Sequence, residues 1–155
     1  MTCRALPITT CDRAHGPDET PIVIDTNRVL DLWLFDEPRV NALRRAVQDG
    51  AARWIATTAM RDELVRVLGY PWLAAQLLRR QRDTRQVLAA FDRWAESVPA
   101  APACAVRCGD PDDQMFIDLS VAWRAALFSK DRLVLGLATR LAPYGVSVQA
   151  GDGPA

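Results

Sequence analysis

The stretch Ile22-Val23-Ile24-Asp25-Thr26-Asn27 places three branched aliphatic residues directly before three polar ones. Consecutive branched aliphatic residues are typical of a strand buried on both faces, as in a parallel sheet. A carboxylate that follows such a strand would lie in a crevice, because ligands of open parallel sheets bind beyond the carboxyl ends of the strands. The stretch therefore predicts a parallel sheet with a polar site at the end of its first strand.

The length and composition of the chain fit a single globular domain. It has 155 residues, of which 50% are hydrophobic and 25% charged, and a chain of this size buries a sizeable core without disulfides or metal. We expect a flexible leader at 1–20, one folded domain at 21–150 and a short tail at 151–155. The leader lacks a signal-peptide pattern and no run approaches about 18 apolar residues, so the expected compartment is the cytoplasm.

The charged residues are balanced in number but not in type. Lys+Arg and Asp+Glu number 19 each, so net charge gives no argument for nucleic-acid binding. Nearly all of the positive charge is arginine, and Lys130 is the only lysine. The cluster Arg79-Arg80-Gln81-Arg82, with Arg85, is predicted to be a solvated helix face first and an RNA-binding surface second. Trp72 and Trp94 could stack on bases, but core burial is the favoured role of both.

The cysteines do not suggest a metal site. Cys3, Cys11, Cys104 and Cys108 show no paired C-x-x-C spacing, and His15 is the only histidine. Zinc sites are built mainly from cysteine and histidine at regular spacing. We therefore expect free, reduced thiols.

Helical and strand patterns alternate along the chain. Amphipathic periodicity and capping residues predict helices at 38–47, 58–69, 72–82, 84–97 and 132–141, and one that begins at Asp110-Pro111. Short apolar runs predict strands at 22–24, 53–57, 126–129 and 146–148. This alternation predicts an α/β fold with a mainly parallel central sheet and helices on both faces.

Four carboxylates are predicted to converge at the carboxyl edge of this sheet. Asp25 and Asp131 follow strands, while Glu63 and Asp113 lie near the starts of helices. Carboxylates brought this close repel one another and raise each other's pKa, and a divalent cation relieves that cost. Oxygen ligands without histidine or cysteine select Mg²⁺ or Mn²⁺. Such an ion supports in-line displacement at phosphorus, so phosphodiester hydrolysis is the predicted chemistry.

Each of these acids also has a purely structural interpretation. Asp25 could cap a turn, and Glu63 could be one of the glutamates that amphipathic helices expose. Asp110 is predicted to be a helix cap, and Asp112 a favourable charge in the first helical turn. Asp118 is either a group that supports the site or an ordinary surface charge.

Four segments of the chain together resemble the acidic motifs of the PIN domain. They are IVIDTN, TTAMRDELVRVL with Glu63, DPDDQMFIDLSVAWRA and LFSKDRLVL, and the resemblance runs from about Ile22 to Val148. It is to the branch of VapC-like toxins of type II toxin-antitoxin systems. The resemblance implies a three-layer α/β/α fold and a Mg²⁺- or Mn²⁺-dependent endoribonuclease that cleaves single-stranded RNA. It also implies a cognate antitoxin that inserts a segment into the site, and a homodimer.

The resemblance assigns the site residue by residue. The acidic quartet, which would hold the metal and catalyse cleavage, matches Asp25, Glu63, Asp113 and Asp131. Asp113 is chosen over Asp112 because it starts the D-x-x-F-I-x-L-S pattern. The supporting positions match Thr26, Asn27 and Ser129.

Two positions depart from the family pattern. Asp118 replaces a residue that is usually small, and we count it with the supporting residues. Lys130 stands directly before Asp131, where it could pair with a carboxylate or a phosphate. Neither departure removes the quartet.

Three other interpretations stay open from the sequence. The runs IVIDTNRVL and CGDPDD resemble motifs of haloacid-dehalogenase-like phosphohydrolases. Against that interpretation, Asn27 stands where a general-acid aspartate is needed, and no lysine precedes Lys130. A PIN-like module that binds RNA or a partner protein without cutting is the second, since an intact quartet indicates a capacity for metal and not turnover. A plain α/β domain with surface acids is the third.

Overall fold

The apolar run Ile22-Val23-Ile24 lies in the central strand of a parallel sheet. The computed structural model describes residues 20–151, so Cys3, Cys11, His15 and nearly all of the expected leader and tail lie outside the described residues. The strands within it are β1 (Pro21–Ile24), β2 (Arg53–Ala56), β3 (Glu96–Ser97), β4 (Ala126–Phe128) and β5 (Ser147–Gln149). They pair in the order β3-β2-β1-β4-β5, and every pairing is parallel.

Eight α-helices connect these strands in the part of the chain that the structure describes. They are α1 (Thr26–Trp33), α2 (Asn41–Gln48), α3 (Thr58–Leu68), α4 (Pro71–Arg79), α5 (Thr84–Trp94), α6 (Gln114–Trp123), α7 (Arg132–Leu135) and α8 (Ala138–Leu141). Three short 3-10 turns add to them, at Pro38–Val40, Pro111–Asp113 and Ala142–Tyr144. Over residues 20–151, no helix is long and apolar enough to cross a bilayer.

The central position of β1 explains its uninterrupted apolar sequence. Its residues 22–24 pair with residues 126–128 of β4, and its residues 21–22 pair with residues 53–54 of β2. A strand with neighbours on both sides and helices on both faces has no solvent-facing side. Val23 is accordingly fully buried.

The strand order reverses direction at β1. The chain runs from β1 through β2 to β3, and then crosses back over the sheet to β4 and β5 on the other side. Because connections between parallel strands are right-handed, the helices before and after this reversal cover opposite faces of the sheet. Accordingly, α1, α3 and α5 contact one another, while α6 packs against β1 and β4. The structure confirms the predicted three-layer α/β/α fold with a parallel central sheet.

Stacked aromatic side chains join the first helical layer to the sheet. Trp54 of β2 lies parallel to Trp33 of α1, with 6.4 Å between the ring centroids. Phe91 of α5 meets Trp54 edge-on at 5.1 Å. Offset-parallel and edge-to-face contacts are the favoured geometries of aromatic pairs, so these three rings fix where α1 and α5 lie on the sheet.

Helix α1 was not predicted from the sequence. The polar residues after β1 indicated a site, and the structure shows that they also begin a helix. Asp25 is its N-cap, because its side chain accepts a hydrogen bond from the backbone N–H of Asn27. Both interpretations of Asp25, as a cap and as a site residue, are therefore compatible with its position.

The predicted helix at 84–97 is wrong at its end. Helix α5 stops at Trp94, Ala95 has an extended backbone, and Glu96–Ser97 forms the edge strand β3. Arg53 of β2 binds both carboxylate oxygens of Glu96 at 2.8 Å. Pairing with β2 thus outweighs the helical pattern of this segment, which sequence periodicity alone does not show.

Three other predicted helices differ in detail. The helix predicted at 72–82 ends at Arg79, since Gln81 adopts a positive φ of 54°. The one predicted at 132–141 is interrupted near Gly136 and forms α7 and α8. The cap of α3 is Thr57, not Thr58, because the Thr57 side chain accepts the backbone N–H of Met60.

Candidate functional site

The reversal of strand order leaves a crevice at the carboxyl ends of β1 and β4. In open α/β sheets, ligands bind at such a switch point because the two neighbouring connections leave in opposite directions. Asp25 follows β1 directly, and Ser129 and Asp131 follow β4. The fold therefore brings the first and last predicted acids to one crevice.

Asp25 is buried and held through both of its carboxylate oxygens. Its Oδ1 accepts the backbone N–H of Asn27 at 2.9 Å, and its Oδ2 accepts the hydroxyl of Ser129 at 2.7 Å. The same Ser129 oxygen accepts the backbone N–H of Asp131 at 3.0 Å. Burial raises the pKa of Asp25, and the hydrogen bond from Ser129 opposes that rise. Ser129 thus links two of the predicted acids.

Glu63 reaches the crevice from α3. Its side chain is buried, and its Oε2 accepts the hydroxyl of Thr26 at 2.5 Å. The guanidinium of Arg66 lies 3.5 Å from its Oε1. Burial raises the pKa of Glu63, while Thr26 and Arg66 lower it. Thr26 therefore ties the start of α1 to the acid on α3.

Asp113 lies at the centre of the acidic group. One carboxylate oxygen from each of Asp110, Asp113 and Asp131 lies within 4.8 Å of the other two. The Oδ2 atom of Asp113 is buried and has no hydrogen-bond partner among the described residues. Its pKa is raised to about 7, first by burial and then by Asp25, Asp131, Asp110 and Glu63. The other three acids of the predicted quartet therefore act electrostatically on Asp113, and Asp131 also belongs to the close group of carboxylates.

This donor set fits a hard divalent cation. Carboxylate oxygens without nitrogen or sulfur are the ligands that Mg²⁺ and Mn²⁺ prefer. A cation among Asp110, Asp113 and Asp131 would supply the missing partner of the Asp113 Oδ2 atom. It would also offset the repulsion that raises the pKa of Asp113. No described cysteine joins a metal-binding group, and Cys104 and Cys108 are free thiols.

The predicted supporting residues divide into two groups. Thr26 and Ser129 donate hydrogen bonds to Glu63 and Asp25. Asn27 contributes its backbone N–H, and its side chain is exposed. Asp118 lies away from the acidic group.

Asp118 and Gln114 hold the segment before α6. The Asp118 Oδ1 atom accepts the backbone N–H of Cys104 at 3.1 Å and the Nε2 of Gln114 at 2.9 Å. Gln114 also donates to the carbonyl of Val106 and accepts the N–H of Cys108. These contacts fix the course of the chain that leads to Asp110 and Asp113.

Sequence reasoning missed part of this region. Asp110 caps the 3-10 turn before α6, as predicted, but its carboxylate also belongs to the acidic group. Its spacing of three residues from Asp113 was the available signal. Asp31 was not singled out at all, although it binds Arg28 and Lys130. We call these three residues the Asp31 cluster.

An open cleft of about 330 Å³ adjoins the acidic group. One wall is the exposed face of α3, and the other is the start of the turn before α6. The cleft is lined by Ala59, Asp62, Glu63, Arg66, Pro111, Asp112 and Met115. Because Glu63 belongs to both, the cleft leads directly into the crevice.

The arginines and tryptophans suggested as RNA contacts differ in their surroundings. Arg82 bonds to the carbonyl of Trp33 and to Asp36, and Arg80 lies over the ring of Phe35. These two arginines therefore stabilise the fold.

Trp94 packs partly buried against the core, as favoured from the sequence. The expected burial of Trp72 is wrong, because its side chain is 57% exposed. Trp72 is the second residue of α4, and the buried residues of that helix are Leu73 and Leu77.

Comparison with known proteins agrees with this geometry. The PIN domain family matches residues 21–132, which is more than half of the chain. Searches among curated proteins and among solved structures gave no match. The match covers the segments that carry Asp25, Glu63, Asp110, Asp113 and Asp131, and it ends just after the last of them. The chain therefore belongs to the PIN-domain family, whose members are generally metal-dependent nucleases.

Proposed function

We propose that the protein is a metal-dependent endoribonuclease that cleaves single-stranded RNA. The observation that carries this proposal is the group of carboxylates around Asp113, one of whose oxygens is buried without a partner. Such an arrangement is costly for a structural role, since a buried carboxylate oxygen without a hydrogen-bond partner is destabilising. Membership of a nuclease family supports the same conclusion.

Each acid has a distinct role in this proposal. Asp25, Asp113 and Asp131 would hold Mg²⁺ or Mn²⁺ together with Asp110, and Glu63 would act beside the ion. When bound, the ion stabilises negative charge on the phosphate and lowers the pKa of a bound water. Glu63 orients the attacking water and accepts its proton, because burial raises the pKa of this carboxylate above its ordinary value and makes it a stronger base. Thr26 and Ser129 keep Glu63 and Asp25 in position.

We place the RNA on one side of the cleavage point in the cleft beside Glu63. Its lining combines apolar surface from Ala59, Pro111 and Met115 with the guanidinium of Arg66. Bases can lie against the apolar surface, and an arginine can bind a phosphate. The arrangement suits an unpaired strand, whose bases are free to enter the cleft.

Cleavage of a mixed single-stranded RNA pool tests the proposal. We expect cutting by the purified protein with Mn²⁺ or Mg²⁺, none with EDTA, and a loss of at least about 100-fold in Asp113→Asn. Asp49→Asn is the matched control, since Asp49 is exposed at the end of α2, at the opposite edge of the sheet. Equal loss in both variants, or intact RNA in every lane of the wild-type protein, would contradict the proposal.

We further propose that this nuclease is the toxin of a toxin-antitoxin pair in the cytoplasm. The resemblance of the four acidic motifs to that branch supports the assignment. Induced expression should arrest growth of the host, whereas Asp113→Asn should not. Co-expression of a small protein encoded next to the gene should restore growth. If the active enzyme does not affect growth, the assignment as a toxin is wrong, while the nuclease proposal stands.

A non-catalytic binding module is the competing function. It predicts that the protein binds RNA or a neighbouring protein while no RNA is cut under any metal condition. The haloacid-dehalogenase-like alternative predicts hydrolysis of a small phosphate monoester. The match to the PIN domain family makes the latter the weaker competitor.

A further inference from the structure

The Asp31 cluster lies beside the acidic crevice and has no part in the chemistry proposed above. The Oδ2 atom of Asp31 accepts hydrogen bonds from Arg28 Nη1 and from Lys130 Nζ, each at 2.8 Å. Arg28 Nε also donates to the carbonyl of Ala150 at 2.7 Å. The cluster thus joins α1, the loop after β4 and the end of β5.

Burial divides the cluster into a fixed part and an accessible part. Arg28 and Asp31 are each only 4% exposed, whereas the side chain of Lys130 is 46% exposed. A buried aspartate needs a cationic partner, and Arg28 already provides one. Lys130 is therefore the part of the cluster that solvent reaches.

Lys130 is also adjacent to the predicted catalytic acids. It lies between Ser129, which binds Asp25, and Asp131, which belongs to the acidic group. Its charge lowers the pKa of Asp25, so the ammonium group acts across the crevice. An acidic crevice repels a polyanion, and a cation at its edge reduces that repulsion.

The position of Asp31 determines which phosphate of the RNA Lys130 can contact. Asp31 is six residues beyond Asp25 on α1, which is about 9 Å along the helix axis. Lys130 Nζ is held at Asp31, and Lys130 follows β4, which lies on the other side of β1 from β2 and the helix α3 that follows it. A phosphate bound there is not the one that is cleaved.

We propose that Lys130 binds the RNA phosphate next to the scissile one, and that Asp31 is the positioning residue that orients it. Arg28 fixes Asp31 in turn. The inference rests on the RNA-cleaving function proposed above. It adds a backbone-binding point on the side of the crevice opposite the cleft of α3.

Salt-dependent binding of a single-stranded RNA oligonucleotide of about 12 nucleotides tests this inference. The experiment uses fluorescence anisotropy in Mn²⁺ with the full chain carrying Asp113→Asn, so that the RNA is not cut during the measurement. Lys130→Met should weaken binding roughly tenfold, and the slope of log K against log salt should become shallower by about 0.7, the value of one phosphate contact on a single strand. Lys130→Arg should keep the slope. Arg140→Met, which removes an exposed cation on α8, should change neither quantity.

Asp31→Asn separates positioning from mere folding support. It leaves the Lys130 charge in place, so the salt slope should remain while KM for cleavage rises several-fold and kcat changes little. A purely structural role would lower the melting temperature and kcat without this KM effect, and would overturn the assignment of Asp31.

The outcomes for the cluster and for the nuclease can be told apart. If the wild-type protein binds RNA but does not cut it, the nuclease proposal fails while the Lys130 contact is still measured by binding. If the wild-type protein cuts RNA and Lys130→Met binds with unchanged affinity and slope, the inference about Lys130 is wrong. If no RNA is bound at all, both fail.

Discussion

Asp113 is the residue whose surroundings differ most from those of an ordinary surface aspartate. Its half-buried carboxylate has one oxygen without a partner, and four other acids contribute to a pKa of about 7. An aspartate in the unfolded chain has a pKa of about 3.9. The metal-free folded state therefore binds a proton at Asp113 that the unfolded state has already released.

The first prediction concerns Asp113→Asn in the metal-free protein. Because the folded pKa lies above the unfolded one, the wild-type protein loses stability as the pH rises from about 4 to about 7. The full effect corresponds to about 4 kcal/mol, which solvent screening at this half-exposed group reduces to about 2. Asp113→Asn should recover this amount at pH 8 and only about a third of it at pH 5. Thermal melts in EDTA at both pH values measure it, and an equal gain at both would refute the electrostatic origin.

The second prediction concerns the hydrogen bond from Thr26 to Glu63. Removing the hydroxyl in Thr26→Val takes away an interaction that lowers the pKa of Glu63. If Glu63 is the base, it must be ionised, so the acidic limb of the pH–rate profile should shift to higher pH. The rate of RNA cleavage from pH 5 to 9 measures this shift. Thr58→Val is the control. Thr58 is an exposed residue of α3, the helix that carries Glu63, and its substitution should leave the pH–rate profile unchanged.

Among individual residues, the sequence indicated the acids of the site but not all of the residues that lie beside them. Asp25 stood out because a charge followed a buried strand, and Asp113 was chosen by resemblance to a motif. Asp31 did not stand out, since a single aspartate within an apolar helix carries no spacing signal. Its importance depends on Lys130, which is 99 residues away in the chain.

Among the elements, the segment between β3 and α6 has little secondary structure and depends on side-chain contacts. Gln114 and Asp118, both on α6, bind backbone groups of this segment at Cys104, Val106 and Cys108. The segment that carries Asp110 and Asp113 into the crevice must have one fixed backbone conformation if these acids are to be held in place. These contacts supply that constraint in place of a strand or helix.

The third prediction is that Asp118→Ala destabilises the protein by about 1–3 kcal/mol, because it leaves part-buried donors of Cys104 and Gln114 without their acceptor. Urea unfolding measures the change. Asp92→Ala provides the contrast, since Asp92 forms an exposed ion pair with Arg61, and such pairs contribute about 1 kcal/mol at most. Equal destabilisation by both variants would argue against a special role of the Asp118 contacts.

The ends of the helices and strands show which local sequence signals were sufficient to predict them. Asp110 was predicted as a cap and is one, and Asp83 caps α5 directly before the predicted start of that helix at residue 84. The strand β3 was assigned to a helix because its two residues have no pattern of their own and are held by β2 across the sheet. Helix α1 was missed because Asp25 was interpreted as a site residue or as the cap of a turn, and not as the cap of a helix.

For the whole molecule, the fold followed from few observations. An apolar strand and alternating helices predict a parallel sheet, and right-handed connections leave few ways to arrange it. The order of the strands was not predicted, since β3 was not recognised. The domain boundaries at 21–150 stay a prediction.

The fourth prediction is that Mn²⁺ stabilises the folded protein as a whole. The acids come together only in the native state, so an ion that binds them favours folding by about 2.7 kcal/mol at 100 times its Kd. Melting temperature against Mn²⁺ concentration measures this, with reversal by EDTA. Asp131→Asn should lose most of the effect, and Asp49→Asn should keep it. A wild-type protein indifferent to Mn²⁺ would argue against a metal site at these acids.

The way β5 holds the last acid also bears on biosynthesis. The backbone N–H of Ser129 donates to the carbonyl of Gln149 at 3.0 Å, and β4 has β5 as its outer neighbour. The loop that carries Asp131 is therefore complete only after residue 149 has left the ribosome. If the protein cuts RNA, its nascent chain is harmless to its own message during most of translation, and the activity appears as synthesis of the domain ends.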